Sequence, residues 1–410
     1  MEGLMNYQVW GIEQVDAESL KQMDAAMSLP ISVKGALMPD AHVGYGLPIG
    51  GVLATVGAVI PYAVGVDIAC RMRLSVFDVS PHVLGQQTKR FENALLENTV
   101  FGAGGEQSPY HQPQHEVMDE STWQETRLLS SLKDKGYKQL GTSGSGNHFV
   151  EWGEFTLLQD DAATGLTAGT YLALLSHSGS RGVGYAIANH YSRIAMNYHQ
   201  NLDKSVRHLA WLDLSWHEGQ EYWLSMNLAG RYASANHQVI HERVSKAVGL
   251  KPVMVVENHH NFAWQETIID ENGHEQDVIV HRKGATPAGK GVLGVIPGSM
   301  ADPGFVVRGK GNRESLCSAS HGAGRVMSRN EAKQQITHHQ QNEYLTTHNV
   351  KLFGGSLDEA PQAYKDIHTV MDAQADLVEI VGKFQPRVVR MDGKITGKGK
   401  KNNRHNKRRR

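Results

Sequence analysis

"VGYGLPIGGVLATVGAVIPYAVGV", residues 43–66, runs for twenty-four positions without a charge. A stretch of that length is long enough to cross a bilayer. Its punctuation argues against that. Pro48, Pro61 and six glycines would interrupt a continuous helix. The stretch reads instead as buried strand and turn, "GVLATV" followed by "AVIPYAVGV", inside a soluble domain. It ends in "GVDIAC" at 65–70, where the first acid, Asp67, is followed three residues later by Cys70.

The bulk numbers agree with a soluble chain. Of 410 residues, 40% are hydrophobic and 20% charged. The two cysteines, Cys70 and Cys317, cannot build a disulfide framework, which points to a reducing compartment and a cytoplasmic location. The opening "MEGLMNYQVWGIEQVD" has neither the basic flank nor the apolar core of a secretory signal. The net charge of −1 conceals an asymmetry, because nine Lys and Arg and no acid fall within residues 394–410. Such a block does not fold alone. The expected organisation is one domain over 1–393 and a basic tail over 394–410. That tail suits a polyanion such as nucleic acid, or serves only as a solubilising extension.

Strand-like runs are scattered along the chain: "RMRLSVFDV", "YLALLSHS", "PVMVVE", "DVIVHR", "GVIPGS" and "GFVVRG". Helical patterns lie between them, at 185–199 and 219–248. "SRNEAKQQI" opens with Ser328 and Glu331 in capping-box spacing. The apolar spacing over 363–384, "AYKDIHTVMDAQADLVEIVGKF", predicts an amphipathic helix. Residues 101–124 and 270–276 read as loops. The irregular order favours a large mixed α+β domain, with several sheets surrounded by helices and the active site on strand-end loops.

Chemistry concentrates in short segments that join a metal-capable side chain to glycines or small polar residues at a strand end: "MPDAHVGYG", "GVDIAC", "GTSGSGNHFVE", "LLSHSGSRGVG", "ENHHNF" and "SASHGAGR". Alone, Cys70 reads as a buried small hydrophobe, the usual fate of a free cysteine. His148, His177 and His260 change that balance, since each sits in a polar, glycine-flanked loop. With Asp67 and Cys70 they are too many ligands for one tetrahedral ion and suit two ions sharing the thiolate. Two-metal sites serve phosphoryl and nucleotidyl transfer. Ligand softness names zinc first. His259 competes with His260 on local grounds. The glycine loops present backbone N–H groups suited to phosphate, without a Walker or dinucleotide pattern. His321 reads equally as base, ligand or nucleophile.

Together these segments resemble the RtcB family of RNA-splicing ligases over nearly the whole chain, with "IPGSM", "GNRES" and "SHGAGRVMSR" adding to the match. The resemblance implies a ligase that joins RNA 2′,3′-cyclic phosphate or 3′-phosphate ends to 5′-hydroxyl ends, using GTP and two manganese ions (Mn2+). It implies that Cys70 bridges both ions, that His177 and His260 complete one site, and that Asp67 and His148 complete the other. It makes His321 the residue that becomes guanylylated. It places Asn147, Phe149, Glu151, Ser299, Ala323, Gly324 and Tyr364 around the guanylate. A monomer acting in RNA repair or tRNA splicing is the corresponding expectation. The chain departs from the family pattern at four points. Tyr45 stands where the family usually has lysine, His237 replaces an arginine, Gly304 replaces a serine, and Asp392 replaces a lysine that contacts guanine. Two rival expectations follow from these departures: 3′-end guanylylation without efficient sealing, and a non-catalytic RNA-binding metalloprotein.

Overall fold

A computed structural model describes residues 7–270 and 272–395. Most of the basic tail, from residue 396 onward, lies outside the described residues. The apolar runs pair into two main sheets. In the larger, strands lie in the order Leu293–Ile296, Gly304–Gly309, Val378–Met391, Phe149–Leu157, Gly169–Ser178, Arg71–Phe77, Met254–His259. All of these pairs are antiparallel, and Lys351–Phe353 adds a short parallel strand beside Val378–Met391. The two edges of this path meet. The Asn258 side chain donates to Val295 O (3.2 Å) and accepts from Val295 N (2.8 Å), imitating a strand partner. The sheet is therefore nearly closed.

Strand alternation sorts its two faces. Met72, Leu74, Val76, Phe155, Ala173, Leu175, Val256 and Phe384 fill the inside with an apolar core. Arg73, Ser176 and Glu257 are mutual register partners and so share the outer face. The helix His217–Ala247 covers that face, with Ser234, His237 and His241 bonded to it. The second sheet, Gln8–Val9, Ser32–His42, Ile49–Thr55, Glu275–Lys283 and Asn261–Ile269, packs Met38, Val52 and Val280 against Ile296, Phe305 and Val378 of the first.

The expected mixed α+β domain is present, and among the described residues no helix is long and apolar enough to cross a membrane. The opening stretch is strand over Ile49–Thr55 and Ala58–Val59. It then departs from the expected strand, because Pro61 starts a short helix, Pro61–Val64. Proline suits a first helical turn, and Ile60 N donates to buried His281 Nε2 at 2.9 Å. The region 363–384 also departs from the expected helix. Only Ile367–Asp372 is helical, and Val378–Met391 is strand. The cause is burial on both faces of the strand. Val306 pairs with Gly382 and Val307 with Ile380, so the register slips at Val381. Val378 packs in the core shared with the second sheet and Val381 in the barrel interior, and two apolar residues three apart imitate a helical period.

Candidate active site

Antiparallel register brings the metal-capable residues to one end of the barrel. His177 pairs with both Met72 and Phe149, and Arg71 pairs with His259. Cys70 and His148 therefore precede two strands at the same rim where His177 and His260 end or follow two others. The chain reaches Cys70 through Ala69, a non-glycine residue at φ 57°. Its N–H is tied to Asn261 O at 2.7 Å. Left-handed backbone at alanine is a strained choice, held here by its surroundings.

Five side chains converge at this rim. Cys70 Sγ lies 3.1 Å from His177 Nε2 and 3.5 Å from His148 Nε2. His148 Nε2 lies 3.0 Å from Asp67 Oδ2, and His177 Nε2 lies 3.2 Å from His260 Nε2. Two of the rings have fixed tautomers. His148 Nδ1 meets Ser143 O at 2.6 Å and His177 Nδ1 meets Asn147 O at 3.0 Å. A carbonyl only accepts, so each Nδ1 carries a proton and each Nε2 is the nitrogen turned to the cluster. Burial holds His177 and His260 well below the ordinary imidazole range, which keeps both rings neutral. Burial also pushes up the Cys70 thiol, and neighbouring Asp67 adds to this. Burial would raise Asp67 as well, but His148, Arg181 and Cys70 together outweigh it and leave the carboxyl lowered.

The result is a cluster of buried acceptors aimed at one another with few donors between them. That arrangement fits a cation. Cys70, His177 and His260 form one group of ligand atoms within 4.8 Å, and Asp67, Cys70 and His148 form another. Cys70 belongs to both. The carbonyl partners of His148 and His177 are the outer contacts that orient metal-binding imidazoles. Gly179 leaves the space Asp67 needs, since a Cβ there would lie 2.3 Å from Asp67 Oδ1. His259 does not join the cluster. Its ring packs edge-on against Phe262 and tilted over Trp264.

These side chains open onto a cavity of about 1080 Å³ whose wall includes Asp67, Cys70, His177, His260 and His321. The His321 ring centre stands 4.9 Å from that of His260. Its Nδ1 donates to Asp40 Oδ2 at 2.6 Å, which leaves Nε2 as the nitrogen that carries the lone pair in the neutral ring. Backbone N–H groups of His321 and Gly322 donate to the same oxygen, at 3.1 and 3.3 Å. Burial would raise the carboxyl of fully enclosed Asp40, but His321 outweighs this and holds it below the ordinary range. A Cβ on Gly324 (φ 74°) would lie 2.1 Å from Asp40 O, so only glycine lets the loop close on Asp40.

Of the seven expected nucleotide contacts, Asn147, Phe149, Ser299, Ala323, Gly324 and Tyr364 line this cavity. Glu151 is enclosed one step deeper on the inner face of its strand, and its Oε2 has no hydrogen-bond partner among the described residues. Burial pushes its carboxyl well up. The Ser299 hydroxyl donates to Asp302, which also accepts from Tyr344 at 2.6 Å, and Ser299 Oγ accepts in turn from the backbone N–H groups of Ala301 and Asp302, both at 3.2 Å. Sequence reasoning missed Asp40, although it lies in "MPDAHVGYG". It also missed Lys283, whose buried ammonium is pushed down to about 7 by burial and donates to Tyr45 O and Leu47 O. A charged residue inside the apolar run "GALMPDAHVGYG" was the available signal for Asp40, whereas Lys283 sits among the polar residues of "HRKG" and carried none.

The sequence pattern of the family described as "tRNA-splicing ligase RtcB" matches residues 22–392. The chain belongs to the RtcB family. It is 34% identical to the RNA-splicing ligase RtcB of Escherichia coli (strain K12), over 90% of this chain and 92% of the relative. It is 31% identical to the tRNA-splicing ligase RtcB of Methanococcus maripaludis, over 88% of each, and 30% identical to that of Thermococcus kodakarensis, over 90% of each. RNA-splicing ligation is the activity that RtcB membership supports. Within the RtcB fold the four departures occupy different settings. His237 is buried on the outer face, 2.7 Å from Ser176 Oγ. Gly304 begins a strand where a Cβ would lie 3.2 Å from Pro297 Cα. Asp392 follows the last strand and accepts from Gly393 N. Tyr45 stands exposed on the cavity rim.

Proposed function

We propose that the chain seals RNA 2′,3′-cyclic phosphate or 3′-phosphate ends to 5′-hydroxyl ends through a guanylylated His321, using GTP and two manganese ions. Asp67, Cys70, His148, His177 and His260 would hold the ions. When bound, the ions would polarise phosphate oxygens and favour departure of pyrophosphate. The observation that carries this reading is the position of His321, with Asp40 turning a lone pair toward the same cavity that the acceptor cluster lines.

In this reading His321 Nε2 attacks the α-phosphorus of GTP, forming a phosphorus–nitrogen bond as pyrophosphate leaves. Asp40 stabilises the charge that develops on the ring. An RNA 3′-phosphate oxygen then takes the GMP and restores the imidazole, water having first opened any cyclic phosphate. Finally the 5′-hydroxyl attacks the activated 3′-phosphate, losing its proton and expelling GMP. Asn147, Phe149, Ser299, Ala323, Gly324 and Tyr364 supply walls for the guanylate. A base N–H would satisfy the orphaned Glu151 oxygen. The activity is placed in the cytoplasm, in RNA repair or tRNA splicing, with the chain acting as a monomer whose catalytic body spans 1–393. The basic tail, residues 394–410, would add salt-sensitive affinity for RNA.

Incubation with α-labelled GTP and manganese tests the reading. Label should remain on the denatured wild-type protein and be absent from His321→Ala. Labelled His321→Ala would overturn the assignment. Sealing of a cleaved RNA separates ligation from 3′-guanylylation alone, in which capped RNA would accumulate unsealed. Metal analysis of the purified protein decides between manganese and zinc.

A further inference from the structure

The cavity does not end at the metal rim. Tyr62 lines it and also lines a second cavity of about 890 Å³, between the helices Arg127–Gln139 and Arg181–Tyr198. Tyr62 belongs to an aromatic cluster. The His208 ring lies edge-on to Tyr62, with centres 4.5 Å apart, and edge-on to Tyr45 at 5.7 Å. Tyr45 is 72% exposed, an unusual position for a large aromatic side chain.

Backbone contacts hold the cluster in place. Lys283 Nζ donates to the carbonyls of Tyr45 and Leu47. Gly46 (φ 73°) lets the Tyr45 loop approach the His208 turn so closely that a Cβ there would lie 2.9 Å from His208 O. The second cavity continues the same chemistry. Its wall carries Tyr185, which is 59% exposed, together with Lys135, His190 and Arg193, against a single acid, Glu106. Tyr185 and Arg193 are eight residues apart on one helix, with Asn189 between them bonded to the Tyr185 carbonyl, so they share a face.

Exposed rings with cations beside them, leading into a nucleotidyl-transfer site, match the way proteins hold unpaired nucleic acid. Bases stack on the rings, and the backbone follows the positive charge. We infer that Tyr45, Tyr62 and His208 form a stacking platform for an unpaired base of the RNA end entering the metal cavity, with the adjoining strand running over Tyr185, Lys135 and Arg193. This rests on the RNA-ligase reading above and extends it. Where the family pattern has a lysine, this chain would grip RNA through a ring.

The test uses the full-length, manganese-loaded chain and two single-stranded twelve-nucleotide RNAs. One carries 2-aminopurine next to a 3′-phosphate, and the other carries it at a 5′-hydroxyl end. Binding to the wild type should quench at least one of them. Tyr45→Ala and Tyr62→Ala should each restore the fluorescence and weaken binding about tenfold, the effect of losing one stacked base. Tyr45→Phe and Tyr62→Phe should keep the quench, since stacking needs the ring and not the hydroxyl. Alanine variants that match the wild type in affinity and quench, while the wild type binds normally, would overturn the platform alone. A wild type that binds neither RNA would overturn the ligase reading and the platform together.

Discussion

The mouth of the barrel and its outer face are built from the same strands, and both bury polar groups. They differ in pairing. On the outer face, Arg71 and Arg73 both bond Glu257, which also accepts from Ser234 at 2.6 Å. Ser176 links His237 and His241 at 2.7 and 2.8 Å, and Ser75 bonds the other nitrogen of His241 at 2.8 Å. Donors and acceptors there nearly match, leaving Arg73 Nε, Trp152 Nε1 and His237 Nε2 without partners among the described residues. At the mouth, Asp67, Cys70, His148 and His177 face one another as acceptors. Matched buried polarity holds the helix His217–Ala247 to the sheet. Unmatched buried acceptors wait for a cation. The contrast separates structural from chemical histidines better than burial does, because His237 and His260 are both enclosed.

The comparison predicts that damage at the two places reads out differently. The largest effect is expected at the mouth. Cys70→Ala should remove both ions and lower ligation by more than about 100-fold, beyond the loss typical of an outer-shell partner. The metal-free variant should still unfold within about 1 kcal/mol of the metal-free wild type. Metal analysis and denaturant titration check this pair of outcomes, and retained ligation would break the bridging role.

Glu257→Gln should do the reverse, lowering stability by about 3–5 kcal/mol at pH 7, because it leaves two buried guanidiniums unpaired. Burial would raise the Glu257 carboxyl, but Arg71 leads the contacts that bring it down to about 2, from an ordinary 4.5. A lowered carboxylate stabilises the fold above its unfolded value and loses that contribution as the pH falls through the folded one. The gap between wild type and Glu257→Gln should therefore narrow from pH 4.5 toward pH 2 in urea titrations. A gap that persists unchanged at low pH would remove the ion pairs as its source.

A smaller effect is expected from Gly179→Ala, whose Cβ would collide with Asp67. Metal affinity should fall about 10–100-fold, measured by competition with a chelator, while the melting temperature of the metal-free chain changes little. Ser328→Ala gives the baseline, at a residue that lines the cavity but belongs to neither the metal-capable cluster nor the outer face. It removes a capping box at the helix Arg329–Gln335 and should cost about 1 kcal/mol with metal binding intact.

Much of this site was legible in the sequence, for a physical reason. Side chains that converge from strand ends need tight turns beside them, so Cys70, His148 and His177 carry small residues or glycine close by, whereas His260 in "ENHHNF" is marked only by its polar neighbours. The capping box at Ser328 is a local signal and was equally readable. What stayed hidden depends on distant partners. Asp40 acquires its role from a residue 281 positions away. Nothing local separates His259 from His260; only the strand ending at His259 sends one ring toward Trp264 and the other into the cavity. The strand Val378–Met391 was concealed by burial on both its faces, which gave its apolar residues a helical spacing.

That strand has a consequence for how the protein is made. It is the last strand in the chain, yet it sits in the interior of the large sheet, between Gly304–Gly309 and Phe149–Leu157. On the ribosome, both neighbours emerge long before it and must wait with their edges unpaired. Such non-local pairing is slow to form and open to misassociation while it waits. A message truncated before codon 378 would encode Asp67, Cys70, His148, His177, His260 and His321, yet leave a gap through the middle of the sheet that aims them.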